Sequence, residues 1–148
     1  MKQAVEDFIY KKVVRGLLLM SKLGRQSVLG EASSGYNFDH MYVNNPDGYY
    51  GVGKLIDYIL LQLPAVKATR ARKQNIIKIV GQEVEGRKIE EKITRIMDVA
   101  CGSGRYLSEL DSIFNQAGIE IIGIDYDTKS LKLGRSIAET YGVSERSL

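Results

Sequence analysis

The spacing of apolar residues predicts three helices in the first 94 residues of the chain. Apolar side chains recur at steps of three and four over residues 5–23, which is the pattern of one helical face, and Gly24 is expected to end this helix. Residues 55–63 follow the same pattern and predict a shorter helix. A longer helix is expected over residues 65–80. Residues 81–94 are charged without a sustained period, so they are predicted to connect this helical part to the C-terminal part of the chain.

Residues 30–53 interrupt this pattern because they are rich in glycine, asparagine and tyrosine and contain one proline. They predict an ordered loop, and loops of this length in compact domains are commonly functional. His40, the sole histidine of the chain, lies here next to Asp39, and we interpret it as a hydrogen-bonded loop residue rather than a catalytic base. Three tyrosines of the loop either pack it onto the core or cover a ligand: Tyr42, Tyr49 and Tyr50.

The pattern changes at Arg95. Residues 96–99 form a short apolar run with one carboxylate, a loop of small residues comes next, and helical spacing then continues as far as Gly118. Residues 119–124 are a second β-branched run, and after it comes a helix that Gly142 is expected to stop. Two successive strand–helix units predict parallel strands with right-handed crossovers, and therefore an α/β fold with a Rossmann-like sheet.

The loop DVACGSGR, residues 98–105, places two glycines where the first of these strands ends. In parallel sheets, ligands bind at the carboxyl ends of the strands, and the backbone of Gly102 and Gly104 can approach a ligand closely because glycine has no Cβ. Asp125 ends the next strand, at roughly the 20-residue spacing that places an acid on a pair of ribose hydroxyls. The pattern predicts a site for a ligand that contains a nucleoside.

The same segment argues against two phosphate-binding patterns. The dinucleotide fingerprint G-x-G-x-x-G, read from Gly102, requires a small residue where the chain has Leu107. The Gly-Lys-Ser/Thr of a Walker loop does not occur at the required spacing. A fragment of a nicotinamide-dependent oxidoreductase is therefore the less favoured alternative.

The stretch D-V-A-C-G-S-G, from Asp98 to Gly104, resembles motif I of the class I S-adenosylmethionine-dependent methyltransferases, D/E-x-G-x-G-x-G, with Ala100 in place of the first glycine. The stretch Gly123-Ile124-Asp125 resembles their second motif, whose acid binds the ribose. Over roughly residues 35–142 the chain is also similar to a bacterial methyltransferase family in which the catalytic domain is sometimes fused to an α/β-hydrolase.

The resemblance implies that the cofactor is S-adenosylmethionine, held by the loop and by the end of the second strand. The backbone of Gly102 and Gly104 would lie against its methionine and ribose parts, and Asp98 would orient the loop or bind the amino group of the cofactor. Asp125 would hold the ribose hydroxyls, with Tyr126 beside the adenine. The cofactor-binding residues predicted on this basis are Asp98, Ala100, Cys101, Gly102, Ser103, Gly104, Asp125 and Tyr126.

Three residues of this segment carry separate expectations. Ala100 is expected to replace glycine without strain if its φ is negative. Cys101 is interpreted as a small loop filler rather than a nucleophile, because no histidine or metal ligand lies beside it in the sequence. Arg105 would contact the carboxylate of the cofactor or point to solvent. The sequence predicts no metal site and identifies no catalytic residue.

Composition and charge change this picture little. The net charge of +3, from 21 basic and 18 acidic residues, is too small to indicate a nucleic-acid partner. The chain has one cysteine, so it cannot form an internal disulfide, and no apolar run approaches the roughly 18 residues that a membrane span needs. We expect a cytoplasmic location.

Only two strand–helix units fit after Arg95, whereas the methyltransferases that the chain resembles usually build a larger sheet. We expect residues 1–94 to form a helical cap or lid with the tyrosine-rich loop, and residues 95–148 to form a partial, C-terminally truncated Rossmann-like unit that binds cofactor. The function implied is methyl transfer to an acceptor that the sequence does not identify. The alternative is a non-catalytic remnant or interaction module, whose incomplete sheet needs a second copy or a partner chain.

Overall fold

The chain folds into helices and one small parallel sheet. The computed structural model describes residues 8–89, 94–114 and 119–143. In chain order, the elements are a π-helical segment Ile9–Val14, helices α1 (Arg15–Met20), α2 (Lys22–Val28), α3 (Gly35–Val43), α4 (Tyr50–Leu61) and α5 (Pro64–Ile89), strand β1 (Thr94–Val99), helix α6 (Arg105–Phe114), strand β2 (Ile119–Ile124) and helix α7 (Thr128–Thr140). The residues group into two compact units, Met1–Ser33 with His40–Arg70, and Ser34–Asp39 with Ala71–Leu148.

The first predicted helix is broken at Ser21, so the prediction that one helix runs to Gly24 is wrong. Ser21 is buried and extended, with φ −90° and ψ 152°, and its hydroxyl accepts a 2.9 Å hydrogen bond from the amide of Gly24. This is the N-cap arrangement that starts α2. Gly24 lies inside that helix, where a Cβ would lie 2.5 Å from the carbonyl oxygen of Leu18. The part of the prediction before residue 8 lies outside the described residues.

The segment predicted as a tyrosine-rich loop, residues 30–53, is partly helical. It contains the whole of α3 and the start of α4, so the prediction of one continuous loop is wrong. Helix α3 buries three polar side chains, those of Asn37, Asp39 and His40. These tertiary contacts outweigh the weak helix propensity of the glycine, asparagine and tyrosine residues in the segment.

Helix α5 is longer than predicted. It begins at Pro64, whose missing N–H suits the first turn of a helix, and it continues to Ile89. Residues 81–89 are therefore helical and not the predicted connection, while residues 90–93 lie outside the described part of the chain. Neither this helix nor any other in the described ranges is long and apolar enough to cross a membrane.

In the first unit, a buried carboxylate joins three parts of the chain. Asp57 of α4 is fully buried, and its Oδ1 accepts a 2.7 Å hydrogen bond from the amide of Leu23. Its Oδ2 accepts a 2.9 Å bond from the amide of Asp47 and lies 2.7 Å from Nε2 of His40. His40 is therefore hydrogen-bonded, as predicted, but it belongs to helix α3 and not to a loop.

In the second unit, β1 and β2 are parallel neighbours, with Thr94 opposite Ile119 and Val99 opposite Ile124. Each strand is followed by a helix, which confirms the predicted α/β arrangement, and Gly142 comes after α7 with a φ of 68°, as expected at a helix C-terminus. Burial alternates along both strands, so one face of the sheet packs on the helices and the other is exposed. The buried apolar core of this unit is formed by Cys101, Leu107, Leu110 and Ile121.

Candidate functional site

The loop of small residues, 100–104, joins the carboxyl end of β1 to helix α6. The amides of Ala100 and Cys101 both donate to the carbonyl oxygen of Ile124, the last residue of β2, at 2.7 and 3.1 Å. The loop is therefore fastened to the end of the neighbouring strand. This is the edge of the sheet at which parallel α/β proteins bind their ligands.

Asp125 is joined to this loop by a direct hydrogen bond. Its Oδ2 accepts a 2.7 Å bond from the amide of Gly102, and its Oδ1 accepts a 2.8 Å bond from the amide of Asp127. The structure therefore places the acid at the end of β2 against the glycine loop at the end of β1. Because an ionised carboxylate has about four acceptor positions, both oxygens keep capacity for a further donor.

Three residues of the loop have left-handed backbone conformations. The φ angles are 65° at Ala100, 61° at Gly102 and 58° at Gly104. Glycine adopts this conformation without penalty, whereas an alanine Cβ meets the following carbonyl oxygen. Ala100 was expected to replace glycine without strain if its φ were negative, but its φ is positive. The loop adopts the left-handed conformation at the position where the resembled motif has its first glycine.

The backbone of the loop is approached closely by two glycines from other helices. A Cβ on Gly35, at the start of α3, would lie 2.5 Å from Cα of Gly102 and 2.7 Å from Oγ of Ser130. A Cβ on Gly134, in α7, would lie 2.7 Å from the carbonyl oxygen of Ser103. The small residues at these positions allow helices α3 and α7 to pack against the loop.

Arg105, the first residue of α6, contacts a carboxylate of the chain itself. Its Nε donates to Oδ1 of Asp39 at 2.5 Å and its Nη2 donates to Oδ2 at 3.2 Å. Ser103 donates its hydroxyl to the same Oδ1 at 3.4 Å. Burial alone would lower the pKa of the Arg105 guanidinium, but the bond and charge of Asp39, aided by Tyr141, raise it. Arg105 therefore does not point to solvent, and its charge is already paired within the protein.

Asp98 and Cys101 lie at the two ends of the turn that leaves β1. Asp98, near the end of β1, accepts a hydrogen bond from the hydroxyl of Tyr106. The thiol of Cys101 is buried, and burial, followed by the charges of Asp98 and Asp125, raises its pKa to about 11. A thiol in this state is a poor nucleophile at neutral pH, which agrees with its interpretation as a loop filler.

Beyond Asp125 the chain turns into helix α7. Tyr126 is 94 % exposed, so its ring contacts little of the protein. Asp127 caps the helix by accepting from the amide of Lys129 at 3.0 Å and from the hydroxyl of Ser130 at 2.6 Å, and these bonds lower the pKa of its carboxyl. The cap fixes the start of α7 and, with it, the position of Asp125.

Three residues that hold the loop were missed in the sequence analysis: Gly35, Asp39 and Gly134. Gly134 carried a signal, because an isolated glycine within a helical pattern commonly has a packing reason. Asp39 carried none, since its partner Arg105 lies 66 residues later in the chain. Contacts between residues so far apart in the chain cannot be predicted from the local pattern of a single sequence.

Comparison with known proteins places the chain in a family. It is similar to "Uncharacterized protein YnbC" of Escherichia coli (strain K12), with 30% identity over 114 residues. The aligned stretch is 76% of this chain and 19% of YnbC, so the chain spans about a fifth of the length of this curated relative. No solved structure matches the chain. A family model with the description "Putative methyltransferase" matches residues 1–147, and the chain therefore belongs to this methyltransferase family.

Proposed function

We propose that the loop and Asp125 form the S-adenosylmethionine site of a methyltransferase. Membership of the family supports methyl transfer in general, and the charge around the loop supports this particular cofactor. Beyond burial, the charges of Asp98 and Asp125 raise the pKa of Cys101, so both carboxylates act on the loop. Arg105 is paired with Asp39 at 2.5 Å. A negative field of this kind suits S-adenosylmethionine, whose sulfonium and ammonium groups outweigh its single carboxylate and leave the cofactor with a net positive charge.

A dinucleotide is the less favoured ligand for the same reason. Its pyrophosphate would bring negative charge to a loop flanked by Asp98 and Asp125, while the adjacent guanidinium of Arg105 is occupied. In addition, Leu107 occupies the position of the third glycine in the dinucleotide fingerprint and is buried in the core. Both observations weigh against a nicotinamide-dependent enzyme.

The residues present fit three groups of S-adenosylmethionine, which are the ribose hydroxyls, the adenine and the amino group. Each oxygen of Asp125 accepts one backbone bond, which leaves acceptor positions for two ribose hydroxyls. The ring of Tyr126 is exposed beside it and is available to stack on adenine. Asp98, bonded to Tyr106, supplies a carboxylate for the amino group of the methionine part.

The contribution of the chain to catalysis is positioning. When bound, S-adenosylmethionine supplies a methyl group on a sulfonium, activated for in-line transfer to a nucleophile. The loop backbone is held in place for this purpose by the carbonyl of Ile124 and the carboxylate of Asp125. The buried thiol of Cys101 takes no part as a nucleophile, because its pKa of about 11 keeps it protonated.

The proposal is tested by the binding of S-adenosylhomocysteine to Asp125→Asn and to a matched control. Glu120→Gln removes a carboxylate from β2, the strand that precedes Asp125, where Glu120 makes a largely exposed ion pair with Arg95. We expect micromolar binding by the unaltered chain and by Glu120→Gln, and a loss of about tenfold or more in Asp125→Asn, because an amide accepts fewer hydrogen bonds. Equal binding by both variants would contradict the role of Asp125.

A second candidate function is an interaction module that completes its sheet with another chain. The outer face of the sheet is apolar and exposed at Met97, Val99, Ile122 and Ile124, whereas parallel sheets are normally covered on both faces. Light scattering combined with the same titration separates the two functions. A chain that binds S-adenosylhomocysteine favours the methyltransferase site, and a stable dimer without cofactor binding favours the interaction module.

A further inference from the structure

Asp39 belongs to helix α3, which precedes both strands in the chain, yet its carboxylate bridges the end of the loop and the start of α6. Oδ1 accepts from Nε of Arg105 at 2.5 Å and from the hydroxyl of Ser103 at 3.4 Å, and Oδ2 accepts from Nη2 of Arg105 at 3.2 Å. A two-pronged bond between a carboxylate and a guanidinium fixes direction as well as distance. One side chain of α3 therefore determines where the last loop residues lie.

This contact is shielded from water. The side chains of Asp39 and Arg105 are 11% and 18% exposed, and Ser103 is buried. Shielded charges interact more strongly than charges at an open surface, and removing one partner leaves the other buried without compensation. Removal of the Asp39 carboxylate is therefore expected to disturb the loop residues that it contacts.

Helix α3 contacts the loop at a second point. Gly35, four residues before Asp39 and so on the same face of the helix, packs against the backbone of Gly102. The glycine at position 35 and the carboxylate at position 39 thus hold the two halves of the same loop. Both residues belong to the same compact unit as the loop.

We propose that Asp39 is a positioning residue of the cofactor loop, which sets the affinity for S-adenosylmethionine by holding Ser103 and Arg105 from helix α3. This inference rests on the proposed function. It assigns to Asp39 a role that acts through the loop and not through contact with the cofactor.

A second ion pair of the same unit provides a matched control. Nζ of Lys73, in α5, donates to both oxygens of Glu109, in α6, at 2.6 and 2.8 Å. The side chains of Lys73 and Glu109 are 7% and 17% exposed, so this ion pair is comparable to the Asp39–Arg105 pair in bond length and burial. Glu109 also accepts a 3.3 Å hydrogen bond from the hydroxyl of Tyr141, which interacts with Arg105. Lys73→Met therefore measures the effect of losing a buried ion pair in this unit while the bond between Asp39 and Arg105 itself is left in place.

The first test is calorimetric titration of the full chain and its variants with S-adenosylhomocysteine, at a temperature where all of them are folded. Asp39→Asn is expected to bind about tenfold more weakly, because the loop is no longer preorganised. Asp39→Glu keeps the carboxylate and is expected to bind as the unaltered chain does. Lys73→Met is expected to lower Tm and to leave the affinity within about twofold. Equal losses of affinity in Asp39→Asn and Lys73→Met would overturn the proposal.

The second test measures the loop without cofactor. Exchange of the Gly102 and Gly104 amide protons is expected to be about tenfold faster in Asp39→Asn than in Lys73→Met. If Asp39→Asn does not fold, Arg105→Lys serves in its place, because lysine keeps the charge but cannot make the two-pronged bond. Unchanged protection of both amides would refute the positioning role. If the unaltered chain binds no S-adenosylhomocysteine, the proposed function fails, and amide exchange alone decides on Asp39.

Discussion

The amide of Gly102 donates a 2.7 Å hydrogen bond to Oδ2 of Asp125, a residue 23 positions further along the chain. This bond closes the glycine loop of the first strand–helix unit onto the acid of the second. Asp125 holds the loop through this bond, and under the proposed function it also binds the ribose hydroxyls. A variant at this position changes both the shape of the loop and the set of groups offered to a ligand.

The left-handed backbone of Ala100 predicts that Ala100→Gly is stabilising. A φ of 65° costs an alanine about 1–2 kcal/mol, which glycine avoids. The greater conformational freedom of glycine in the unfolded chain offsets about 0.5–1 kcal/mol of this stabilisation. We expect the free energy of unfolding in urea to rise by roughly 0.5–1 kcal/mol. Ala71→Gly, at an exposed position of α5, is the control and should lose about 1 kcal/mol. A loss of stability in Ala100→Gly would contradict the backbone assigned to the loop.

The helical glycines Gly134 and Gly86 should respond to substitution by alanine with stability changes of opposite sign. A Cβ at Gly134 would lie 2.7 Å from the carbonyl oxygen of Ser103, whereas a Cβ at Gly86 meets nothing within 4 Å. Gly134→Ala should therefore destabilise the chain by about 1–3 kcal/mol, and Gly86→Ala should stabilise it by about 1 kcal/mol. Thermal unfolding of both variants checks this, and a stabilising Gly134→Ala would contradict the close packing of α7 on the loop.

The buried carboxylate of Asp57 predicts a loss of stability in acid. Burial alone would raise the pKa of Asp57, but the hydrogen bonds from His40 and from the amides of Asp47 and Leu23 outweigh it and lower the pKa below the ordinary 3.8. Its stabilising contribution is therefore complete above that ordinary value and is lost as the pH falls through the lower folded-state pKa. Asp57→Asn should lower the free energy of unfolding at pH 7 by about 3 kcal/mol and flatten its dependence on pH in acid.

Asp111 is the control for this pH dependence, because its pKa is shifted in the opposite direction to that of Asp57. Burial raises the pKa of the Asp111 carboxyl, so folding disfavours its ionised form at neutral pH. Asp111→Asn should therefore leave the free energy of unfolding unchanged or higher at pH 7. Urea unfolding of both variants from pH 7 to pH 3 makes the comparison. If the loss of stability in acid were reduced in Asp111→Asn but not in Asp57→Asn, Asp57 would not be the source of this pH dependence.

The thiol of Cys101 should react slowly in the folded chain. With a pKa of about 11, roughly one thiol in a thousand is ionised at pH 8, and the side chain is also buried. We expect alkylation by iodoacetamide to accelerate on the order of 100-fold in denaturing urea. Cys101→Ala should retain cofactor binding, because the thiol is a filler. Rapid alkylation of the folded chain would show that the loop is open to solvent around the thiol.

The sequence predicted the strands well because their signals are local. The run Ile119–Ile124 is apolar and β-branched and lies between turn residues, and the structure has the strand over the same residues. The helix after it was also predicted, since apolar spacing and Gly142 mark its course and its end. Features encoded within ten or so residues were therefore accessible from the sequence.

Features that depend on distant partners were not accessible. Helix α3 is built around buried polar side chains, and Asp39 and His40 gain their partners only in the folded chain. The same holds for Arg105, which was expected to contact cofactor or solvent and instead pairs with a residue 66 positions earlier. The left-handed φ of Ala100 was missed because alanine rarely adopts it, and only the loop around it imposes that conformation.

The central claim is that this loop takes S-adenosylmethionine and not a dinucleotide. Isothermal titration of the purified 148-residue chain with S-adenosylhomocysteine, and in parallel with NAD, tests it most directly. We predict saturable, micromolar binding of S-adenosylhomocysteine and none of NAD. Binding of NAD, or no binding of either compound by a chain shown to be folded, would contradict the claim.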